Sequence, residues 1–203
     1  MINPIVDDTE EDFVWRRTHP DKLWIFDKLI LSRKLGYICG PTGLDVPRPD
    51  YYIIRPCVNA LGLGLGASKK WIEDGTVHLP IGFFWCEWFE GRHLSIDYKY
   101  GKQVLAVEGI KPANTLTHWQ LWKRVDDTIP LPSILEPFAD EEYINCEFIG
   151  GKLIEVHLRR NEDFDKAVDE FIPVWKGQST DPPTGYKYID YPDLHGRIVA
   201  FVK

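Results

Sequence analysis

Apolar residues recur along this chain with two different periods, and the change from one to the other divides it. Leu23, Trp24, Phe26, Ile30, Leu31 and Leu35 follow Thr18-His19-Pro20-Asp21 at near-helical spacing. Proline suits a first helical turn and Gly36 suits a terminator, so a helix is predicted there. Before it, Asp12 to Arg17 reads as a short strand. Tyr51 to Arg55 is aromatic and β-branched, the composition of a strand. From Pro80 onward the pattern becomes one of consecutive strands: 81–89, 93–99, 103–110 and 118–125. Glu90-Gly91-Arg92 and Tyr100-Gly101-Lys102 turns separate them, which predicts an antiparallel meander. Residues 143–149 and 152–158 form a hairpin across Gly150-Gly151, a pair suited to a type I′ turn. The remaining expectations are a short turn or helix over 68–74, short helices over 130–138 and 164–172, a loop over 176–192, and a last strand over 197–202.

These elements describe an α+β protein with no repeat, no low-complexity linker and no clean domain boundary, hence one module over residues 1–203. Its 44% hydrophobic content and eight Trp are far from the balance that keeps chains disordered. No apolar run approaches the roughly 20 residues that cross a bilayer, and the first residues lack the basic and apolar regions of a signal peptide. No membrane association and a cytoplasmic location are therefore expected. Cys39, Cys57, Cys86 and Cys146 are scattered, so reduced thiols are expected in place of a zinc site or disulfide framework. A net charge of −7 argues against nucleic-acid backbones as partners, yet leaves room for a local cationic pocket.

Two constellations carry candidate chemistry. Gly62, Gly64 and Gly66 form a loop whose backbone N–H groups can approach an anion, and Arg55 ends the preceding strand as a phosphate partner. The loop lacks the G-x-x-x-x-G-K-[ST] pattern, and no parallel βαβ unit supports a dinucleotide fingerprint. A flexible surface loop is the other reading. The second constellation is Glu147, Glu155 and His157. Strand alternation across the Gly150-Gly151 hairpin gives one face Leu153, Glu155, His157 and Arg159, with Ile154, Val156 and Leu158 on the core face. Two acids and an imidazole on one face can hold Mg²⁺ together with phosphate oxygens; an ordinary polar strand face explains them equally well.

Taken in order, four segments resemble the ATP-grasp superfamily over about residues 20–160. Asp21 to Gly36 is similar to its DK-helix. Tyr52-Ile-Ile-Arg-Pro through Gly66 is similar to the strand ending in Lys-Pro before a phosphate-covering glycine loop. Phe84-Trp-Cys-Glu-Trp-Phe-Glu-Gly-Arg-His through Asp97 is similar to the adenine-holding hinge strand and the segment after it. Glu147 to Arg159 is similar to the metal-binding end, usually E-x-N-x-R. The resemblance implies two small lobes, about 18–85 and 86–203, around a nucleotide cleft. It implies ATP and Mg²⁺ as cofactors, with Arg55 at the phosphates in place of Lys and Lys22 or Lys28 as the upstream lysine. Glu87, Trp88 and Phe89 would line the adenine pocket, and His93 stands where a ribose-binding Glu is often found. Glu155 would hold Mg²⁺ with Glu147 or Asn145, and His157 stands where Asn usually completes the metal shell. Arg159 would hold an acyl phosphate or a substrate carboxylate.

The implied reaction is ATP-dependent activation of a small-molecule or peptide carboxylate for attack by an amine or thiol. The substitutions at Arg55, His93 and His157 favour the alternative, a non-catalytic nucleotide-binding or protein-interaction module. An aromatic-rich interaction domain with no nucleotide site is a third reading.

Overall fold

The computed structural model describes residues 10–58, 64, 66–73, 75–112, 115–161, 163–164, 168–194 and 196–203. The chain begins with helix α1 (Glu10–Arg17), a 3₁₀ helix (Pro20–Phe26) and helix α2 (Lys28–Lys34). A small antiparallel sheet follows, built from β1 (Cys39–Pro41), β2 (Asp50–Pro56), β3 (Ser68–Ile72) and β4 (Phe83–Glu87) in the order β1-β4-β2-β3. The rest of the chain supplies β5 (His93–Lys99), β6 (Lys102–Ile110), β7 (Leu121–Arg124), a 3₁₀ helix (Ser133–Phe138), β8 (Tyr143–Ile149), β9 (Lys152–His157), β10 (Glu170–Trp175), β11 (Lys187–Leu194) and β12 (Arg197–Val202). These strands form a second antiparallel sheet, ordered β11-β12-β10-β7-β6-β5-β8-β9. The architecture is the expected α+β one.

Strand β5 shows how this large sheet organises the molecule. Leu94, Ile96 and Tyr98 point into a core that also contains Ile25, Phe26 and Leu31 of the helical segment and Leu135 and Phe138 of the second 3₁₀ helix. His93, Ser95 and Asp97 alternate with them and are also buried. A strand buried on both faces needs cover on both, and its polar face is the floor of the candidate site.

Several local expectations are corrected. The predicted helix after Pro20 is split at Asp27, whose side chain accepts from Leu29 N at 2.9 Å and Ile30 N at 3.0 Å. That cap starts α2 afresh and makes Lys28 its first residue. Residues 12–17 are helical, with Arg16 and Arg17 complementing the dipole in the last turn. Residues 68–72 are strand because β2 pairs with them from Asp50↔Ile72 to Ile54↔Ser68.

The expected helix over 164–172 gives way to β10. Its Pro173 lies beyond the end of the short β7, so on that side the missing N–H leaves no ladder bond unmade. Part of the expected loop over 176–192 is β11, an edge strand that tolerates Pro192. The meander is also divided: β4 belongs to the small sheet, and only β5, β6 and β7 run consecutively in the large one.

Candidate functional site

A cleft of about 620 Å³ separates the small sheet from the polar face of the large one. Three elements bring its charged end together. The Asp27 cap aims Lys28 inward, and Lys28 N donates to Cys57 O at 2.7 Å, tying α2 to the end of β2. Arg55, near that end, crosses the cleft: its Nη2 donates to Ile154 O of β9 at 2.9 Å, and its guanidinium lies 5.3 Å from the Phe84 ring. Across the hairpin, Glu147 of β8 is register-paired with Glu155 of β9.

Each carboxylate has basic neighbours. Lys28 Nζ lies 3.3 Å from Glu155 Oε1, and His157 Nε2 lies 3.2 Å from the same oxygen. His93 Nε2 lies 3.0 Å from Glu147 Oε2. Burial acts to raise the Glu155 carboxyl, but Lys28, His157 and Arg55 together outweigh it and hold the group well below the usual carboxylate range. Glu147 shows the same contest: burial and the charge of Glu155 raise it, His93 and His157 lower it, and the net direction is down. Both acids are therefore ionised, side by side, in a partly enclosed space. Among the described residues, His93 Nδ1 and Arg55 Nε are buried without a hydrogen-bond partner.

A β-bulge corrects the expected alternation on β9. Pairing runs Glu147↔Glu155 and then Phe148↔Leu153, so one β9 residue is extra between them. Leu153 thereby joins Phe148, Val156 and Leu158 in the core, while Ile154 lines the cleft with Glu155 and His157. The turn itself has φ +55 at Gly150 and +78 at Gly151, as a type I′ hairpin requires.

Lys28, Arg55, Gly64, Gly66, Trp88, Phe89, His93, Glu147, Glu155, His157 and Arg159 all line the one cleft. Gly64 and Gly66 have φ of +67 and +78, which favours glycine. Gly62 lies outside the described residues. Two other candidates point elsewhere. Lys22 Nζ is 3.4 Å from Asp140 on the surface, whereas Glu87 Oε1 accepts from Ile38 N at 2.8 Å and so anchors the chain leaving α2. Asn145 also lines the cleft, with its amide engaged: its Nδ2 donates to Ser95 Oγ and to Asp97 Oδ1, both at 2.8 Å. Burial raises the Asp97 carboxyl, against the bonds from Asn145 and Asn161.

Among the described residues no group of three or more His, Cys, Asp or Glu forms a ready metal cage. The donor set consists of the two facing carboxylates of Glu147 and Glu155, which suits a cation that brings phosphate oxygens as its remaining ligands.

Sequence reasoning missed the opposite end of the cleft, lined by Lys111, Trp119, Trp122, Phe164, Trp175 and Arg197. The density of Trp near 119–122 was the available signal. Nothing in strand periodicity says that Trp175 and Arg197, more than fifty residues downstream of Trp119, come back beside it.

No protein-family model and no curated protein matches the chain. Among solved structures, it is similar to one assigned to the ATP-grasp superfamily from Archaeoglobus fulgidus, with 14% identity, a TM-score of 0.49, and coverage of 89% of this chain and 64% of that one. It is also similar to D-alanine–D-alanine ligase from Bacillus anthracis complexed with ATP (11% identity, TM-score 0.35, 67% of this chain and 55% of that one). A third is the ATP-grasp ligase PsnB complexed with minimal precursor (11% identity, TM-score 0.38, 68% and 52%). This chain thus spans less than two thirds of each of the three.

Proposed function

We propose that the cleft binds a magnesium–nucleoside triphosphate and that the chain is an ATP-grasp-like, carboxylate-activating ligase. The observation that carries this reading is the convergence of Lys28 and Arg55 with the paired Glu147 and Glu155, drawn from four separate elements into one cleft. Cations beside ionised acids suit phosphates that arrive with a divalent ion.

In this reading Lys28 and Arg55 hold the phosphates, and the Trp88–Phe89 segment borders the base. Gly64 and Gly66 let the loop approach closely. Glu147 and Glu155 hold Mg²⁺, with His157 beside them. The ion offsets the charge that spreads over the transferred phosphoryl oxygens. Arg159 holds the acyl phosphate that forms when an oxygen of the substrate carboxylate attacks the terminal phosphorus and the nucleoside diphosphate leaves. An amine or thiol then displaces phosphate from the acyl phosphate. The two lobes close about this cleft, and the protein works in the cytoplasm.

A second reading, a nucleotide-binding module without turnover, draws on His157. At 3.2 Å from Glu155, its imidazole already occupies one side of the carboxylate proposed to hold the metal.

Isothermal titration and thermal shift with Mg-ATP test the binding. A ligand at 100 times its dissociation constant stabilises by about 2.7 kcal/mol; the absence of both heat and shift would remove the proposal. Release of ADP in the presence of a carboxylate then separates ligase from silent module.

A further inference from the structure

The cleft continues well past its carboxylate pair. Its lining runs from β9 and β8 over β5 and Lys111, which follows β6, to β7, β10 and β12. Neighbouring strands lie about 4.8 Å apart, so the six spacings from β9 to β12 amount to roughly 29 Å. The phosphate and metal groups use only the β9, β8 and β5 side, and a second molecule has room beside the nucleotide.

The far side is a built aromatic chamber. Trp119 and Trp122 lie with ring centroids 4.4 Å apart, on backbone that only glycine leaves open. A Cβ at Gly109 would meet Trp119 at 2.6 Å and Trp122 at 2.8 Å. Trp175 Nε1 donates to Trp119 O at 2.9 Å, which ties this third indole to the Trp119 backbone, and its ring lies 4.4 Å from that of His118. His93 stands edge-on to both Trp119 and Trp122 and reaches Glu147 with its other end, so the chamber adjoins the charged end directly.

The charge of the chamber selects its guest. Lys111 Nζ lies 4.7 Å from the Trp119 ring and makes no ion pair among the described residues. Burial lowers its pKa, against the charge of Glu147. Arg197 binds Asp163 through Nη1 at 2.8 and 3.0 Å, which neutralises the acid on that wall. Arg159 adds a further cation to the lining of the same cleft. A cationic guest would meet like charge here, and a small polar one would leave the Trp faces unused.

We propose that this chamber holds the second substrate of the cleft, a carboxylate carried on a flat aromatic body, with the ring against Trp119 and Trp122 and the carboxylate toward Lys111. The assignment rests on the cleft being the ligand site proposed above. It puts the carboxylate on the side of the chamber that faces the phosphate-binding cations. An aromatic ring packed on Trp contributes to binding beyond its buried area, so ring and charge both register in affinity.

The test uses 3-phenylpropanoate as probe, titrated into the full chain with and without Mg-ATP and followed by tryptophan fluorescence and calorimetry. Propanoate removes the ring, and 3-phenylpropylamine reverses the charge. The expected result is binding of 3-phenylpropanoate at least tenfold tighter than either comparator. Lys111→Met, checked for an unchanged melting temperature, should lose at least tenfold for the probe. The comparators on the unmodified chain need no variant, so a misfolded variant does not shelter the proposal. Failure of 3-phenylpropanoate to bind, equal binding of the amine or of propanoate, or an indifferent Lys111→Met would each overturn it. Mg-ATP binding without probe binding removes this inference alone, whereas probe binding without Mg-ATP binding removes the nucleotide reading.

Discussion

At the β8–β9 end of the cleft, Lys28, Arg55, Glu147, Glu155, His93 and His157 hold one another by charge. Their partners come from a helix cap, a strand of the small sheet and a hairpin. At the β7–β10 end, Trp119 and Trp122 pack ring against ring over Gly109, Trp175 is tied to Trp119 O, and Lys111 makes no ion pair among the described residues. The first end is sensitive to the loss of any one charge, because removing one member of a buried pair strands the other. The second is sensitive to volume, because close-packed rings have no slack. One cleft thus contains an end suited to exchanging charged partners and an end suited to recognising shape.

The largest effect expected from breaking the charged end is that of Glu155→Gln. Lys28 is only 7% exposed, and without its counter-charge the chain should lose about 3–5 kcal/mol in denaturant unfolding. The Mg²⁺ dependence of nucleotide binding should disappear with it. Adding Lys28→Met to Glu155→Gln should recover much of the stability and none of the binding. If the single variant is as stable as the parent, the charged end is not held in the way described.

Next in size is Arg55→Ala, which removes a charged donor to Ile154 O and should weaken Mg-ATP binding by about 1.5–3 kcal/mol. Arg55→Lys keeps the charge and loses the planar fork, so its affinity should fall between the two. Equal affinity of all three proteins would show that Arg55 is only a strut between the sheets.

At the aromatic end, Gly109→Ala should cost about 1–3 kcal/mol by overpacking, since the new Cβ would lie 2.6 Å from Trp119. Tryptophan emission should change in step. A variant with unchanged stability and emission would mean that the rings have slack and the chamber is not shape-selective.

A smaller, graded effect follows from pH. The Glu147 and Glu155 carboxyls are held below their ordinary value, so the stability they contribute is present above about pH 4.3 and is lost as the pH falls below it. The stability gap between the parent and Glu155→Gln should accordingly narrow from pH 7 to pH 3.5 in urea titrations. A gap that widens on acidification would reverse the assigned sign. Lys22→Ala marks the bottom of the scale: its ion pair with Asp140 is at the surface, so the change should stay within about 0.5 kcal/mol and leave nucleotide affinity alone. A larger loss of affinity would return Lys22 to the candidate site.

The sequence by itself determined the elements whose reasons are local. β5, β6, β8, β9 and β12 follow from short-range alternation, and the hairpin that joins the strands of Glu147 and Glu155 follows from Gly150-Gly151, whose φ angles are both positive. It also offered Arg55 as a phosphate partner, because the end of its strand is legible in the order of residues, and left Lys22 and Lys28 as alternatives.

Tertiary structure decided what depends on partners distant in the chain. Residues 68–72 and 170–175 are strands because β2, β7 and β12 offer ladders to them. The bulge that turns Leu153 into the core and Ile154 into the cleft depends on how β8 and β9 pack against the helices, since periodicity alone assigns those two residues the other way round. The choice between Lys22 and Lys28 was made by Asp27, which ends one helix and begins another. The aromatic chamber gathers Gly109, Trp119, Trp122, Trp175 and Arg197 from strands that are neighbours only in the folded sheet. Local pattern carries the period of an element, but not the identity of the strand that will lie 4.8 Å away.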